Sequence, residues 1–339
     1  MFRFHDFFRN HKTLLIAEFA NAHEGRIEDA LKMIDVAVSA GADALKFQMF
    51  FADELLVPEH PKYSVFKQLE MSRTDWYTLM EAADSSEKLV FIDIFGEESY
   101  RFSRNFSVDA FKIHASDMTN LFLLDKVSSS GISLILSAGA CTMEELERAV
   151  ACCNHNAAGD FAIMHGFQNY PTRVEDTHLN LISTLEQKFS CPVGYADHID
   201  GGSEMAVILP LLAVAKGSKI IEKHFTLDRD LQGIDYQSSV NPDILAKIIR
   251  LVHDSEPAFG STQKRLSADE EQYKKDVRKR LVVTRDMRAG EVLTTGDITF
   301  KRADQGLFAE DLQRVTGKPL GKDILKNHVI TDSHVGLKK

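Results

Sequence analysis

From residue 13 to about residue 256 the hydrophobic pattern alternates between two periods. Short apolar runs, compact and β-branched, read as buried strands: Thr13–Phe19, Ala44–Gln48, Leu89–Asp93, Ala110–Ile113, Ser133–Ser137, Phe161–His165, Pro192–Ala196 and Lys219–His224. Between them lie segments with apolar residues at helical spacing. In Ile27–Ala40 the stripe is Ala30, Leu31, Ile34, Ala37 and Val38, and Gly41 closes the helix. Thr142–Cys153, Leu179–Lys188, Gly202–Ala215 and Pro242–His253 read as further helices. The result is a chain of eight βα units, the size and rhythm of a TIM (β/α)8 barrel. An open doubly wound sheet is the rival arrangement, but no Gly-rich nucleotide turn is present.

After residue 257 the pattern changes. Pro257–Arg280 is polar and charged, a linker with some helical potential. An internal repeat follows. Arg285–Thr294 and Lys322–Thr331 share one template, with a basic residue and Asp before an apolar residue and a Val-Leu/Ile-Thr at the same offset; Ile298 and Val335 extend the match. We read a small pseudo-symmetric β-rich module that gains from packing on something larger. The expected organisation is a barrel domain over 1–260, a linker over 261–279 and the small domain over 280–339, an α/β chain overall.

A net charge of −10 argues against non-specific nucleic-acid binding. The N-terminus has early charges and no apolar core of a signal peptide, and no run reaches membrane-spanning length. The four cysteines, at 141, 152, 153 and 191, match no zinc spacing, and the vicinal pair suits a reducing compartment. A cytoplasmic protein is expected.

Chemistry in such a barrel gathers at the C-terminal strand ends. Those ends supply Glu18, Lys46, Gln48, Asp93, Lys112, Ser137 and His165, with Gln168 and Tyr170 just beyond, and then His198 and His224. Two imidazoles on consecutive strand ends, with carboxylates nearby, suit a divalent metal; two satisfied core histidines are the structural alternative. Lysines inside apolar strands are costly to bury unpaired. Lys46 and Lys112 either pair with Glu18 and Asp93 as structural ions or bind an anionic substrate, and two on one face favour the second. Glu222 reads equally as a layer-filling ion-pair partner.

These residues also resemble a known family. Ile16-Ala17-Glu18, His23 and Gly25, Gly41–Gln48, Ile135–Gly139, Asn169-Tyr170-Pro171-Thr172, Gly194–His198, Glu222–Leu227 and Gly233-Ile234-Asp235 follow, in order, the motifs of the sialic acid synthase family. The C-terminal module resembles its SAF, or antifreeze-like, domain. The resemblance implies condensation of phosphoenolpyruvate with an amino-sugar aldehyde, giving a 2-keto-3-deoxy sugar acid and phosphate, in polysaccharide biosynthesis. It implies manganese or magnesium held by His198 and His224, and a homodimer whose SAF domain caps the partner's barrel. Glu18 matches a glutamate near the reacting carbons, and Lys46 and Lys112 match donor-binding lysines. Gln48, Tyr170 and Asp235 match acceptor positions, and Arg302 matches an arginine reaching the sugar's acyl group across the dimer.

The chain departs from the family pattern on the donor side. Ile92-Asp93-Ile94-Phe95 stands for Ser-Thr-Pro-Phe, and Lys112-Ile113-His114-Ala115-Ser116-Asp117 for Lys-Ile-Pro-Ser-Gly-Glu. Gln168 stands for Asn, and Ala196 for Ser. Three hydroxyls facing the donor are lost, at about 1.5–3 kcal/mol each if charge-assisted. A weaker phosphate subsite is therefore expected. A related metal-dependent lyase or aldolase with a non-phosphate donor, and a non-catalytic sugar-binding homologue, remain the alternatives. Retention of Glu18, Lys46, Lys112, His198 and His224 together speaks against the second.

Overall fold

A computed structural model describes residues 2–10, 13–156 and 160–336. The chain divides after Gly260 into two compact units. In the first, β1 (Leu14–Glu18), β2 (Ala44–Met49), β3 (Leu89–Ile94), β4 (Ala110–Ile113), β5 (Ser133–Ser137), β6 (Phe161–His165), β7 (Val193–Asp197) and β8 (Ile220–His224) are all parallel and close into a barrel in chain order. Each strand lies within one residue of its expected ends. Closure is made by β1 on β8, which sets Glu18 opposite His224.

Alternation along the strands sorts every side chain. Leu15, Ala17, Leu45, Phe47, Ile92, Phe111, Leu134, Ile163 and Ile221 point outward and join the helices in the main core. Leu14, Ile16, Ala44, Phe91, Ala110, Ile135, Ala162, Met164, Ala196 and Ile220 fill the lower barrel. The helix Ile27–Ala40 forms as expected and ends on Gly41 at φ 88°, whose N–H bonds the Ala37 and Val38 carbonyls. Met143–His155 starts on a reciprocal cap between Thr142 and Glu145. The last barrel helix, Pro242–Phe259, runs past the expected end at His253 and takes Pro257 into its final turns.

The floor of the barrel is an element the hydrophobic periods did not reveal. A short helix, Phe4–Asn10, lies under the strands, with Phe4 fully buried. Phe4 meets Phe91 edge-on at 6.2 Å, and Phe2 lies 5.6 Å from the same ring. Asp160 anchors this helix by accepting from the N–H groups of Phe4 at 2.9 Å and His5 at 3.3 Å. Ser133 Oγ also donates to Asp160.

The β1 exit turn positions residues for the upper face. Gly25 takes φ 74°, and a Cβ there would stand 2.6 Å from the Gln68 carbonyl oxygen, so only glycine fits. His23 Nδ1 accepts the Gly25 N–H at 3.0 Å, and the ring also hydrogen-bonds the Ala20 backbone. The imidazole is therefore used in its neutral form. Burial, above all, depresses its pKa to about 4.

The second unit opens with an exposed helix, Ala268–Val277, inside the segment read as linker; a reciprocal Ser267–Glu270 cap starts it. β9 (Lys279–Val283) then pairs antiparallel with β10 (Ile298–Arg302). The sequence repeat is a spatial one. Met287 and Ile324 exchange both backbone hydrogen bonds at 2.9 Å. Asp286 accepts from the Lys326 N–H at 2.7 Å, and Asp323 from the Ala289 N–H at 2.8 Å, the same contact seen from each half. Leu293 and Ile330, equivalent in the template, are both fully buried.

Two stability measurements test this description. Phe4→Ala opens a cavity in the barrel floor and should cost about 3–5 kcal/mol in urea unfolding of the full chain. His23 is protonated in the unfolded chain below its ordinary value of 6.5 but in the folded chain only near 4. Its contribution is complete above about pH 6.5 and disappears as pH falls toward 4, by roughly 3 kcal/mol in all. His23→Gln should flatten the stability–pH slope in that window. An unchanged slope would show that His23 is not held neutral.

Candidate active site

The upper half of the barrel interior is polar where the lower half is apolar. Continuing the inward alternation upward brings Glu18 from β1, Lys46 from β2, Asp93 from β3, Lys112 from β4 and Glu222 from β8 into one buried layer. Lys46 is wholly buried; its Nζ contacts Glu18 Oε2 and lies 3.3 Å from Glu222 Oε1 and 3.4 Å from Asp93 Oδ2. Lys112 Nζ lies 2.7 Å from Glu222 Oε1 and 3.9 Å from Asp93 Oδ2. Both lysines are thus engaged by acids in this state, and Glu222 links them.

With all three carboxylates ionised, the two ammonium groups leave the layer one negative charge in excess. Its polar atoms are not all met: Asp93 Oδ1 and Glu222 Oε2 are buried without hydrogen-bond partners. The surroundings divide the acids. Burial raises Glu18 to about 7, helped by Glu222 and Asp93 and opposed by Lys46 and Lys112. Burial also pushes Glu222 upward, but Lys112 and Lys46 together outweigh it and hold its carboxyl well below the usual range. Lys46 stays firmly charged, because its acidic neighbours overcome burial. Glu18 Oε1 accepts the Ala20 N–H at 2.8 Å, which fixes the carboxyl.

Directly above Glu222 sits His224, two residues along the same face of β8. With His198 they form a buried group whose ligand atoms lie within 4.8 Å of one another. The imidazole centres are 5.1 Å apart. His198 Nδ1 bonds the Phe167 carbonyl at 2.7 Å, which directs Nε2 inward. His224 Nδ1 is buried and unpartnered. Burial lowers His198 to about 4 and His224 well below its ordinary value, so both rings are neutral donors of lone pairs. Two neutral imidazoles, an ionised carboxylate, unmet buried atoms and an excess negative charge fit a divalent cation.

The odd residues between these ligands support them from behind. Asp197 and Lys223 point outward and form a buried ion pair at 2.8 Å that ties β7 to β8. Asp197 Oδ1 also accepts from the Tyr195 hydroxyl at 3.2 Å and the Ile199 N–H at 3.1 Å. Above, Gly201 passes so close to Ser239 that a Cβ would stand 1.8 Å from its carbonyl oxygen, and Ser238 Oγ donates to the His198 carbonyl at 2.8 Å.

The remaining expected residues fall into separate groups. Tyr170 packs its ring 4.7 Å from His198 and donates its hydroxyl to Gln168 Oε1 at 2.7 Å. Gln48 and Asp235 meet through Asn21, whose backbone N–H reaches Asp235 Oδ2 at 3.3 Å and whose amide reaches Gln48 Oε1 at 3.5 Å. Ser137 ends β5, buried and facing inward. Arg302 ends β10 in the second unit, exposed. The sequence reading left Glu222 undecided and passed over Asn21. Glu222 was discoverable, since it shares the inward face with His224; Asn21, in an irregular turn, carries no periodic signal.

Residues 33–264 match the NeuB family and residues 278–336 the SAF domain. The chain is 32% identical over 326 residues to an uncharacterized protein of Methanocaldococcus jannaschii, covering 94% of this chain and 93% of that one. It is 30% identical over 339 residues to the N,N'-diacetyllegionaminic acid synthase of Legionella pneumophila, covering 95% and 94%. Among solved structures, the N-acetylneuraminic acid synthetase of Leptospira borgpetersenii, in complex with citrate, superposes with a TM-score of 0.73 at 33% identity, over 78% of this chain and 90% of that one. The NeuB match spans most of the barrel, the named relatives are sialic-acid-type synthases, and the chain belongs to the NeuB family.

Proposed function

We propose that this enzyme joins phosphoenolpyruvate to an amino-sugar aldehyde and releases a 2-keto-3-deoxy sugar acid and phosphate, for a surface polysaccharide. The observation that carries this reading is the meeting of His198, Glu222 and His224 with the Lys46–Lys112 pair at one barrel mouth. The activities named for its relatives, legionaminic, pseudaminic and N-acetylneuraminic acid synthesis, support it. His198, Glu222 and His224 would hold manganese or magnesium, which supplies Lewis acidity toward an aldehyde oxygen.

The chain's own residues take the other roles. Lys46 and Lys112 exchange part of their carboxylate pairing for the donor's carboxylate. Carbon 3 of the enolpyruvate attacks the aldehyde carbon; the new bond forms from the enol π pair, and the aldehyde oxygen gains a proton. Water adds at carbon 2, and Glu18, with a pKa raised to about 7, takes its proton. The bond from carbon 2 to the phosphate oxygen then breaks with its electron pair leaving on phosphate, while the added hydroxyl oxygen becomes the carbon 2 carbonyl and gives up its remaining proton, which balances the proton taken up by the aldehyde oxygen. Gln48 and Asp235 hold acceptor hydroxyls, and Tyr170 stacks beside the sugar.

One observation favours a second reading. Asp93 is wholly buried at the donor side, and Ala196 faces inward beside Glu222. That pairing suits a donor without phosphate, as in an aldolase using pyruvate.

Manganese-loaded enzyme incubated with phosphoenolpyruvate and a panel of 2-acetamido and 2,4-diacetamido hexoses should release phosphate and form a keto-acid sugar of matching mass. Consumption of pyruvate in place of phosphoenolpyruvate would decide for the second reading. His198→Ala should abolish stoichiometric manganese binding in calorimetry while leaving the fold intact by circular dichroism. Equal binding in both proteins would refute the metal assignment.

The assembly we propose is a homodimer in the cytoplasm, each SAF domain capping the partner's barrel so that Arg302 reaches the acceptor. Sedimentation at micromolar concentration should show a dimer, and Arg302→Ala should raise the acceptor KM at least tenfold with manganese affinity unchanged. A fully active monomer would overturn the cross-dimer cap.

A further inference from the structure

Asp235 lies on a long exit loop between β8 and the helix Pro242–Phe259, and that loop is fastened from two sides. Its second half is tied to the β7 exit. Arg229 Nε donates to the Tyr236 carbonyl at 3.2 Å, and the same guanidinium reaches Asp200 Oδ1 at 2.9 Å. The Gly201 N–H donates to the Gln237 carbonyl at 2.8 Å. The tip at residues 233–235 is held instead by the β1 exit turn. Glu24 Oε1 accepts the Ile234 N–H at 3.1 Å, and the Asn21 N–H donates to Asp235 Oδ2 at 3.3 Å. A Cβ on Gly233 would stand 2.4 Å from Glu24 Oε1, so glycine there is what lets the carboxylate approach the loop.

Glu24 is itself rigidly set. Its backbone takes φ 52°, and its N–H donates to the Asn21 carbonyl at 2.9 Å. Its other oxygen, Oε2, accepts from Arg26 Nη1 at 2.9 Å, and Arg26 Nε bonds Asp29 on the first turn of the helix Ile27–Ala40 at 2.5 Å. A chain of contacts thus runs from a barrel helix through Arg26 and Glu24 to the backbone of the β8 exit loop. What it reaches is a strained place. Asp235 takes φ 62°, in the left-handed region. A residue with a side chain stays there only where its neighbours over-determine it. On the downstream side Ser239 does this, donating to the Asp235 carbonyl from its N–H at 3.1 Å and from its Oγ at 2.8 Å. On the upstream side Glu24 holds the residue before it.

We propose that Glu24 is a positioning residue for the acceptor sugar: by holding the Ile234 N–H it sets the Asp235 carboxylate where that group meets a sugar hydroxyl. The inference rests on the condensation proposed above and on the acceptor role given there to Asp235. Glu24 acts as a hydrogen-bond acceptor and exchanges no proton. Without it the loop keeps its downstream anchors, but the tip is released and Asp235 relaxes out of the left-handed region. The loss falls on acceptor binding, because the histidine pair and the two lysines stand on strand ends that residues 233–235 do not hold.

The test separates positioning from general support of the fold. In Glu24→Ala the acceptor KM should rise about tenfold, while kcat, the KM for phosphoenolpyruvate and manganese affinity stay within about twofold of wild type. Glu24→Gln keeps an oxygen for the Ile234 N–H and gives up only a partly exposed ion pair with Arg26, so its acceptor KM should stay within about threefold. Adding Glu24→Ala to Asp235→Ala should raise the acceptor KM no further than Asp235→Ala alone, since nothing is left to position. Hydrogen exchange over residues 233–235 should quicken in Glu24→Ala and not in Glu24→Gln. A wild-type acceptor KM in Glu24→Ala would overturn the inference, as would equal rises in the two single variants or additive effects in the double one. If wild-type protein consumes no acceptor, the proposed condensation fails. The exchange measurement then decides separately, and unchanged exchange in Glu24→Ala would overturn the hold on the loop as well.

Discussion

Two lysines sealed inside a protein must be neutralised, and much of this barrel's upper half follows from that requirement. An ammonium left unpaired at such depth costs several kcal/mol, and removing one member of a buried pair typically costs about 3–5 kcal/mol. Lys46 is met by acids from three different strands, β1, β3 and β8. Those strands are brought together only when β1 closes on β8. The charge layer therefore depends on barrel closure, and the register of each strand in turn is policed by the layer. A slip of one residue would turn an acid outward into the helices and leave a lysine alone.

The same layer prepares the site for chemistry. Because acids outnumber lysines, one negative charge and two unmet carboxylate oxygens remain inside. Apolar packing below and ion pairing above thus divide the barrel along its axis. The phenylalanine floor packs the lower barrel, away from the charged groups at the mouth.

How much of this could be read from the sequence depended on whether the information was local. Strand and helix periods are local, and all eight strands were legible within a residue. His198 and His224 stood out because each ends an apolar run. Glu222 was ambiguous for a physical reason: a glutamate two residues before a histidine faces the same way, but whether it meets a metal or a lysine depends on strands far away in sequence. The Asp197–Lys223 clamp, the Asn21 bridge and the floor helix held by Asp160 are likewise long-range pairings. The extension of Pro242–Phe259 through Pro257 shows the opposite error, a local breaker signal overridden at a helix end.

The reciprocal bonds within the second unit carry a consequence of a different kind. Asp286 serves the half that contains Lys326, and Asp323 serves the half that contains Ala289. At these two positions neither half satisfies its own backbone. A fragment of half the length could close this core only by meeting a second copy of itself, related by a twofold axis. The module has the form of a twofold dimer whose two subunits are joined end to end.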